Sequence, residues 1–511
     1  MNIPIIDSFL NKTTMYKVVL YYLAMLIVAA ILFAAVGWLP YNPLAIVVST
    51  LFIVVVCGVI NEIFTRAFDA PANVESFYIT ALILVLLITP PTSFSDSSFF
   101  WFATWASVWA CASKFMLAIK NKHIFNPAAF GVAIMAITVG LSATWWVGTG
   151  IMLPLVLIGG FMVIRKIQRW DLVLSFFAMV LGMSLWAVFS RGGTNYFSTI
   201  QNLFVLTPIA FFAFAMLSEP LTTPPTRWLQ IAYGAFTGFL FMPSAHILSF
   251  YFTPETALLA GNIFSYVVSP KQKLILHLAG IKKLANDTYE FVFNSNQRLA
   301  FSPGQYLEWT LAHPGPDMRG NRRYFTIASA PTEDTVKMGV KFYPEPSSFK
   351  SALSMMRPGH LMVASQLAGD FTLPRNTKKK LVFIAGGIGI TPFRSMLKYA
   401  ADQKENRNIV LLYANKTPGD IAYADEFAVM QKQMFLKTIY TVTDTKSVTS
   451  DWRGRVGPID EKVIREEIPD FAERTFYISG PRGMVASYHS MLRSMGVPAW
   501  HIKEDFFPGF A

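Results

Sequence analysis

Residues 385–392 read Ala-Gly-Gly-Ile-Gly-Ile-Thr-Pro, after the apolar run 381–384 and before the stretch 393–397. That spacing predicts a strand, a glycine turn and a helix start. Without Cβ atoms, the turn leaves the backbone N–H groups around Gly386, Gly387, Ile388 and Gly389 open to a pyrophosphate, and the helix entered at Thr391 favours negative charge at its N-terminus. A glycine turn alone is weak evidence. Three companions stand at ordered distances: Arg323, Phe325, Thr326 and Ser329 before it, then Ser479, Gly480 and Pro481, then residues 504–510. A guanidinium on a strand can pair bidentately with a second phosphate group. Ser347, Ser348, Phe349 and Lys350 follow Pro346 and read as a capped helix start with outward N–H groups.

These groups need two kinds of scaffold. Residues 274–279, 288–293, 305–310, 323–327, 336–342 and 361–365 are short β-branched and apolar runs separated by turn residues, which predicts six strands closing a barrel. Residues 381–384, 409–413, 437–442 and 475–478 alternate with helical stretches and predict a parallel sheet, whose ligands bind at the carboxyl ends of its strands. Both 386–391 and 479–484 fall at such ends.

Together the four motifs resemble the ferredoxin–NADP⁺ reductase superfamily over residues 272–511. The resemblance implies an FAD-binding β-barrel at 271–376, a nucleotide-binding α/β domain at 377–511, and hydride passing from NADH or NADPH to FAD. It implies that Arg323 takes the flavin pyrophosphate, Phe325 stacks on the flavin or adenine and Thr326 meets the isoalloxazine near N5. Tyr306 and Tyr324 are also expected to bind the cofactor, and Tyr324 or Arg322 takes over from Arg323 if the register slips by one. Ser347, Ser348, Phe349 and Lys350 face the pyrophosphate, although proline replaces the family's usual glycine at Pro346. Gly480, Pro481, Arg482 and Met484 hold the nucleotide, with Ser479 beside the nicotinamide where the family often has cysteine. Glu504 assists proton movement, and Phe510 either covers the flavin or latches on the core. The catalytic expectation is Thr326, Ser479 and Glu504. Lys416 could meet a 2′-phosphate or be solvated, so NADH against NADPH stays open.

Residues 1–270 are a different material. The chain is 53% hydrophobic and 14% charged, and the charges crowd into the C-terminal half. Apolar runs of roughly 14–24 residues begin near 16, 43, 77, 99, 128, 149, 170, 203, 228 and 256, close to the length that crosses a bilayer. The fold class expected is therefore a polytopic helical membrane domain of about ten spans fused to the barrel and α/β domains. Placing Lys12 and Lys17 inside puts Arg66, Lys120, Lys122, Arg165, Lys166, Arg169, Arg227 and Lys271 inside as well. The reading is a multi-pass protein of a bacterial inner membrane with its reductase domains in the cytoplasm. No cleavable leader is expected, so the first span is retained.

Thr-Pro-Pro-Thr recurs at 89–92 and 223–226, ending the third and eighth spans, and 123–131 and 254–262 open the fifth and tenth. A shift of five spans reverses direction, which predicts an inverted repeat enclosing a site. The segments Phe-Asn-Pro-Ala-Ala-Phe-Gly, Ser-Glu-Pro-Leu-Thr-Thr-Pro-Pro-Thr and Ala-Leu-Leu-Ala-Gly-Asn resemble the membrane-embedded family shared by the Rnf electron-transport complex and the sodium-pumping NADH:quinone reductase, the Rnf-D/Nqr-B type. That resemblance implies an electron-carrying domain. Its covalent FMN threonine would correspond to Thr144, but the family's glycine and loop are missing. Thr144 reads instead as an interfacial threonine beside anchoring Trp145 and Trp146, and no covalent FMN is expected.

Only Cys57 and Cys111 are present, so a Cys₄ iron–sulfur cluster cannot form within the chain. His123 and His246 are the only histidines before residue 272, too few for two bis-histidine haems, and no metal site is expected. The net charge of +12 reflects inside loops and surface lysines, not a nucleic-acid partner. The function expected is a membrane flavoprotein carrying electrons from NAD(P)H through FAD to a quinone, a membrane flavin or a partner subunit. The alternatives are an ion-translocating electron-transfer module, or a transporter whose fused reductase acts on its cargo.

Overall fold

A computed structural model describes residues 6, 9–10, 13–68, 74–119, 122–269, 273–317 and 320–505. The chain divides into two compact units, Met1–Lys271 and Gln272–Ala511.

The first unit is helical: α1 (Met15–Ala35), α2 (Pro43–Ala67), α3 (Val74–Leu87), α4 (Ser97–Met116), α5 (Pro127–Val139), α6 (Leu153–Ile167), α7 (Trp170–Ser190), α8 (Tyr196–Val205), α9 (Ile209–Leu217), α10 (Arg227–Leu240) and α11 (Pro254–Val268). Polar caps decide several starts. The Asn126 side chain accepts the Ala129 N–H before Pro127, and Thr253 accepts the Thr256 N–H before Pro254. Proline fits the first turn because its missing N–H would have no partner there.

Among the described residues three helices, α1, α2 and α7, are long and apolar enough to cross a membrane. The pair α8 and α9, bent by 64°, makes a fourth if it counts as one broken span. The expected ten spans are therefore not all full-length helices. α3, α5, α6, α10 and α11 are only 13 to 15 residues long. Hydropathy counted apolar runs, and prolines start or stop the helices inside those runs. Neighbours α2 and α4 pack together, as do α7 and α10; α1 packs on α3 and on α6, and α5 meets α11.

The second unit opens with a six-stranded antiparallel sheet: β1 (Leu274–Ala285), β2 (Thr288–Ser295), β3 (Tyr306–Thr310), β4 (Arg322–Thr326), β5 (Val336–Lys341) and β6 (Leu361–Ala368), in the order β4-β3-β6-β1-β2-β5. The barrel is a half-barrel, because β4 and β5 end the order without pairing. Past the end of β4, the Ala328 N–H donates to the Lys337 carbonyl at 2.8 Å. The core holds Leu274, Leu276, Phe291, Phe293, Leu307, Trp309 and Met338, with Phe349 and Leu353 of α12 (Ser348–Ser354) packed in. Burying each large apolar side chain contributes about 1.5–3 kcal/mol.

The α/β part is a parallel sheet in the order β10-β9-β8-β7-β11-β12, from β7 (Leu381–Gly386), β8 (Ile409–Asn415), β9 (Leu436–Val442), β10 (Arg455–Val456), β11 (Thr475–Ser479) and β12 (Ile502–Glu504). The helices used below are α13 (Thr391–Asp402), α14 (Ala424–Gln431) and α16 (Arg482–Ser494), with α15 (Glu461–Glu467) preceding the last. β7 is central and all six of its residues are buried. The two- and three-residue strands β10 and β12 carry too few residues to show a period.

Candidate functional site

The register of β3 and β4 sorts the residues expected at the flavin. Tyr306 opposes Thr326, Glu308 opposes Tyr324 and Trp309 opposes Arg323. Opposed residues share a face and successive residues alternate. Tyr306, Tyr324 and Thr326 therefore lie on one face, and Arg323 and Phe325 on the other. On the first, the Tyr324 hydroxyl donates to Glu308 Oε2 at 2.9 Å and the Tyr306 and Tyr324 rings meet edge to face at 5.6 Å.

On the second face the Arg323 guanidinium sits 5.3 Å over the Phe349 ring, whose centroid is 5.9 Å from Phe325. Arg323 donates to the carbonyls of Gly320 (2.9 Å) and Arg322 (2.7 Å) and to Asp317 Oδ1 (3.2 Å). The other oxygen of Asp317 accepts the Ser348 N–H at 3.2 Å. Arg323 and the Ser348 amide thus already share one anion, a carboxylate. This donor set suits a flavin pyrophosphate, so the residues fit FAD. Ser347 caps α12 by accepting the Lys350 N–H, while the Lys350 ammonium donates to the Lys341 carbonyl at 2.7 Å. Phe349 is fully buried in the half-barrel core.

Ser329 lies off the strand. Its hydroxyl accepts the Lys337 N–H at 3.2 Å, and its carbonyl accepts the Ser395 hydroxyl of α13 at 2.7 Å. Beside it is a network that the sequence did not flag. Arg394 of α13, with a side chain only 2% exposed, donates to the Ala328 carbonyl at 3.1 Å, to both oxygens of Glu333 and to Glu426 at 3.0 Å. Tyr423, also buried, donates to Glu290 of β2 at 2.9 Å. These contacts fasten the half-barrel to the α/β part inside one unit. Arg394 lies 61 residues from Glu333 and 32 from Glu426, so no local spacing betrays the pairs.

Burial pushes the Glu333 carboxyl up, but Arg394, Lys337 and the Ala330 amide more than reverse this and hold it at about 2. The unfolded chain, with an ordinary glutamate near about 4.3, takes up the proton first as the pH falls. Glu333 therefore contributes its full stability above that ordinary value and loses it as the pH falls towards about 2. Acid unfolding of the full chain, followed by tryptophan fluorescence, is expected to be less steep across that window for Glu333→Gln. Profiles that coincide in shape would contradict the assignment.

At the carboxyl ends of β7 and β11 two turns cross at close range. A Cβ on Gly389 would lie 2.4 Å from the Ser479 carbonyl oxygen, and one on Gly386 would lie 2.3 Å from Met484 Sδ. Gly387 has φ +52° with open space where its Cβ would be. Ile388 completes the turn by accepting the Thr391 hydroxyl at 3.2 Å. Gly480 and Pro481 lead into α16, with Pro481 and Arg482 exposed. Gly389→Ala is expected to destabilise the protein by about 1–3 kcal/mol through overpacking. Gly483→Ala, in the exposed first turn of α16 with nothing within 4 Å, serves as the neutral control. Thermal melts compare them, and equal melting temperatures would show that the crossing can yield.

Ser479 is 2% exposed and donates to Asp505 Oδ2 at 2.9 Å, whereas Glu504 bonds His489 of α16. Asp505 was missed by the sequence reading. Alternation along β12 sends neighbouring side chains to opposite faces, so either carboxylate could have been the one at Ser479. Phe510 lies outside the described residues. Lys416, after β8, is exposed.

Residues 383–490 match the family described as "Oxidoreductase NAD-binding domain". The C-terminal unit is an FAD- and NAD(P)H-binding reductase of the ferredoxin reductase type. A flavohemoprotein of Rhodopirellula baltica is 29% identical over 216 residues, covering 40% of this chain and 53% of that one. A glycine betaine monooxygenase reductase subunit of Pseudomonas aeruginosa is 24% identical over 238 residues, covering 45% and 64%. The chain thus spans between about half and two thirds of the length of these relatives. The solved cytochrome b5 reductase domain of Ulva prolifera nitrate reductase is 23% identical, with a TM-score of 0.41, covering 46% of this chain and 98% of that one.

In the helical unit one polar network joins the segments singled out as a repeat. The Asn126 N–H donates to Asn262 Oδ1 at 2.8 Å, Asn262 donates to the Tyr233 hydroxyl at 3.0 Å, and the Asn126 amide donates to Glu219 Oε2 at 2.9 Å. His123 Nε2 is 3.8 Å from Glu219. Asn126, Ser218 and Glu219 line a cavity together with Ser76, Thr80 and apolar residues such as Met15, Val163 and Ala215. Thr144 hydrogen-bonds Thr89 at 2.6 Å. Trp145 and Trp146 are not interfacial anchors. Both are buried, donating to Glu255 (3.2 Å) and to the Val85 carbonyl (2.7 Å), because each indole N–H finds an internal acceptor. No group of three or more His, Cys, Asp or Glu able to hold a metal occurs among the described residues.

Proposed function

We propose that the protein is a membrane-bound flavoprotein oxidoreductase in which the C-terminal unit takes hydride from NAD(P)H onto FAD and the helical unit holds the electron acceptor. The observation that carries this is the pair of anion-receptive features in one rigidly tied unit: Arg323 with the Ser348 amide, and the glycine turn 386–389 crossing Ser479 and Gly480. Bound FAD would accept two electrons as hydride and release them singly. Arg323 and Ser348 hold its pyrophosphate, Thr326 and Tyr306 border the ring, and Gly386, Gly387, Ile388, Gly389 and Thr391 receive the nucleotide phosphates, with Gly480, Pro481, Arg482 and Met484 closing the far side. The Arg394 network keeps the two faces in register.

Basic loops support a cytoplasmic reductase unit, and the three or four long apolar helices support membrane residence. The link between Asn126 and Asn262, together with the matched pairs α2 with α4 and α7 with α10, supports the inverted-repeat reading of about ten helical segments. The acceptor is a quinone, a membrane flavin or a partner subunit. Reconstitution in liposomes separates these: NADH-driven reduction of a quinone dissolved in the bilayer by the full chain, absent when residues 1–271 are replaced by a single anchoring helix, supports a site in the helical unit. Equal rates for both proteins would remove it.

A second reading, ion-coupled electron transfer, is favoured by one observation. The helical unit buries Glu255 and Lys166 and half-buries Lys114, and the Lys114 and Lys166 ammonium groups donate to Ser76 and to the Leu10 carbonyl. Ionisable groups inside a membrane segment are costly and mark ion or proton paths.

A further inference from the structure

Cys57 and Cys111 are the only cysteines in 511 residues, and they stand 54 positions apart on α2 and α4, both fully buried. A buried residue touches about 6–12 others, so two such residues would meet by chance roughly one time in fifty. They do meet. Cys111 Sγ lies 3.7 Å from the Cys57 carbonyl oxygen, the two side chains hydrogen-bond each other, and both are free thiols. One turn further along α4, the half-buried Lys114 ammonium donates to the carbonyl (3.0 Å) and hydroxyl (3.2 Å) of Ser76 and acts electrostatically on both thiols. Among the described residues its hydrogen bonds go only to those neutral groups, and Glu219 acts on it without contact.

We propose that Cys57 and Cys111 bind one Cu(I) ion as a two-coordinate bis-thiolate. Thiolates select Cu(I), zinc or iron–sulfur clusters, and the last two need about four ligands. No group of three or more His, Cys, Asp or Glu stands together among the described residues, so two sulfurs are the whole donor set. Cu(I) accepts two sulfurs in a line. Binding breaks both S–H bonds, releases two protons and forms two Cu–S bonds, which leaves the complex with one negative charge. Lys114 supplies the opposite charge inside a helical bundle, where an uncompensated anion is costly. A disulfide between the same residues would be neutral and would give the ammonium no such role. Ser76, which holds Lys114, also lines the cavity of Asn126 and Glu219, and this places a polar route next to the pair.

The test is anaerobic titration of the reduced, detergent-purified full-length protein, loaded with FAD, with Cu(I) in competition with a chromophoric Cu(I) chelator. One Cu(I) per chain is expected, and X-ray absorption of the wild type should show two sulfur neighbours and no nitrogen or oxygen. Cys57→Ser and Cys111→Ser should each weaken binding by more than the about 10–100-fold that losing a ligand's supporting partner costs. Lys114→Met should weaken it by about tenfold, the scale of one close charge pair. Affinity unchanged in both cysteine variants, nitrogen or oxygen neighbours in the wild type, or a wild type that takes up no Cu(I), would each overturn the proposal. The absorption measurement needs only the wild type, so it decides the matter even where a cysteine variant fails to fold.

Discussion

Replacing Arg323 by alanine is expected to weaken FAD binding by roughly 10- to 150-fold, the ~1.5–3 kcal/mol of a hydrogen bond to a charged group. The side chain is held by the carbonyls of Gly320 and Arg322 and by packing over Phe349, so it meets an anion with little ordering left to do. The same geometry predicts an opposite effect next door. Asp317 shares both Arg323 and the Ser348 amide, so a pyrophosphate bound there would have to displace its carboxylate. Asp317→Asn is expected to bind FAD more tightly than the wild type. Flavin-fluorescence titration of the deflavinated full chain measures both variants. Parallel losses in the two would mean that the pair is only structural and that the pyrophosphate binds elsewhere.

Arg394→Met is expected to destabilise the reductase unit by about 3–5 kcal/mol, because it leaves Glu333 and Glu426 partly buried without their cation. Arginine at this position also holds the Ala328 carbonyl, next to the Ser329 carbonyl that Ser395 holds, so the loss should reach the flavin strand. The double variant Arg394→Met with Glu333→Gln should recover part of the stability, since the uncompensated charge goes with it. Denaturant unfolding of the full chain, read by flavin release and by tryptophan fluorescence, compares the three. A single variant within about 0.5 kcal/mol of wild type would show that the network is peripheral.

Much of the C-terminal unit was legible because its signals are local. The expected strands starting at Leu274, Thr288, Val336 and Leu361 begin where the structure begins them, since alternation and turn residues mark both sides. The glycine turn was legible for the same reason. What escaped was long-range or a matter of parity. Arg394 has its partners Glu333 and Glu426 far along the chain, where no local spacing points to them. Glu504 and Asp505 could be told apart only once β12 had a partner strand. In the helical unit the starts were readable from Asn126-Pro127 and Thr253-Pro254, but helix lengths were not, because hydropathy runs on past the prolines. Trp145 and Trp146 read as interface anchors from composition and proved to be buried donors to Glu255 and Val85.

The most direct test of the central claim is anaerobic rapid mixing of the detergent-purified full-length protein, loaded with FAD, against NADH and then NADPH, while the visible flavin absorbance is followed. Prompt bleaching by at least one nucleotide, with FAD released on acid precipitation and none retained on the chain, is the predicted result. A chain that carries FAD yet is bleached by neither nucleotide would contradict the account.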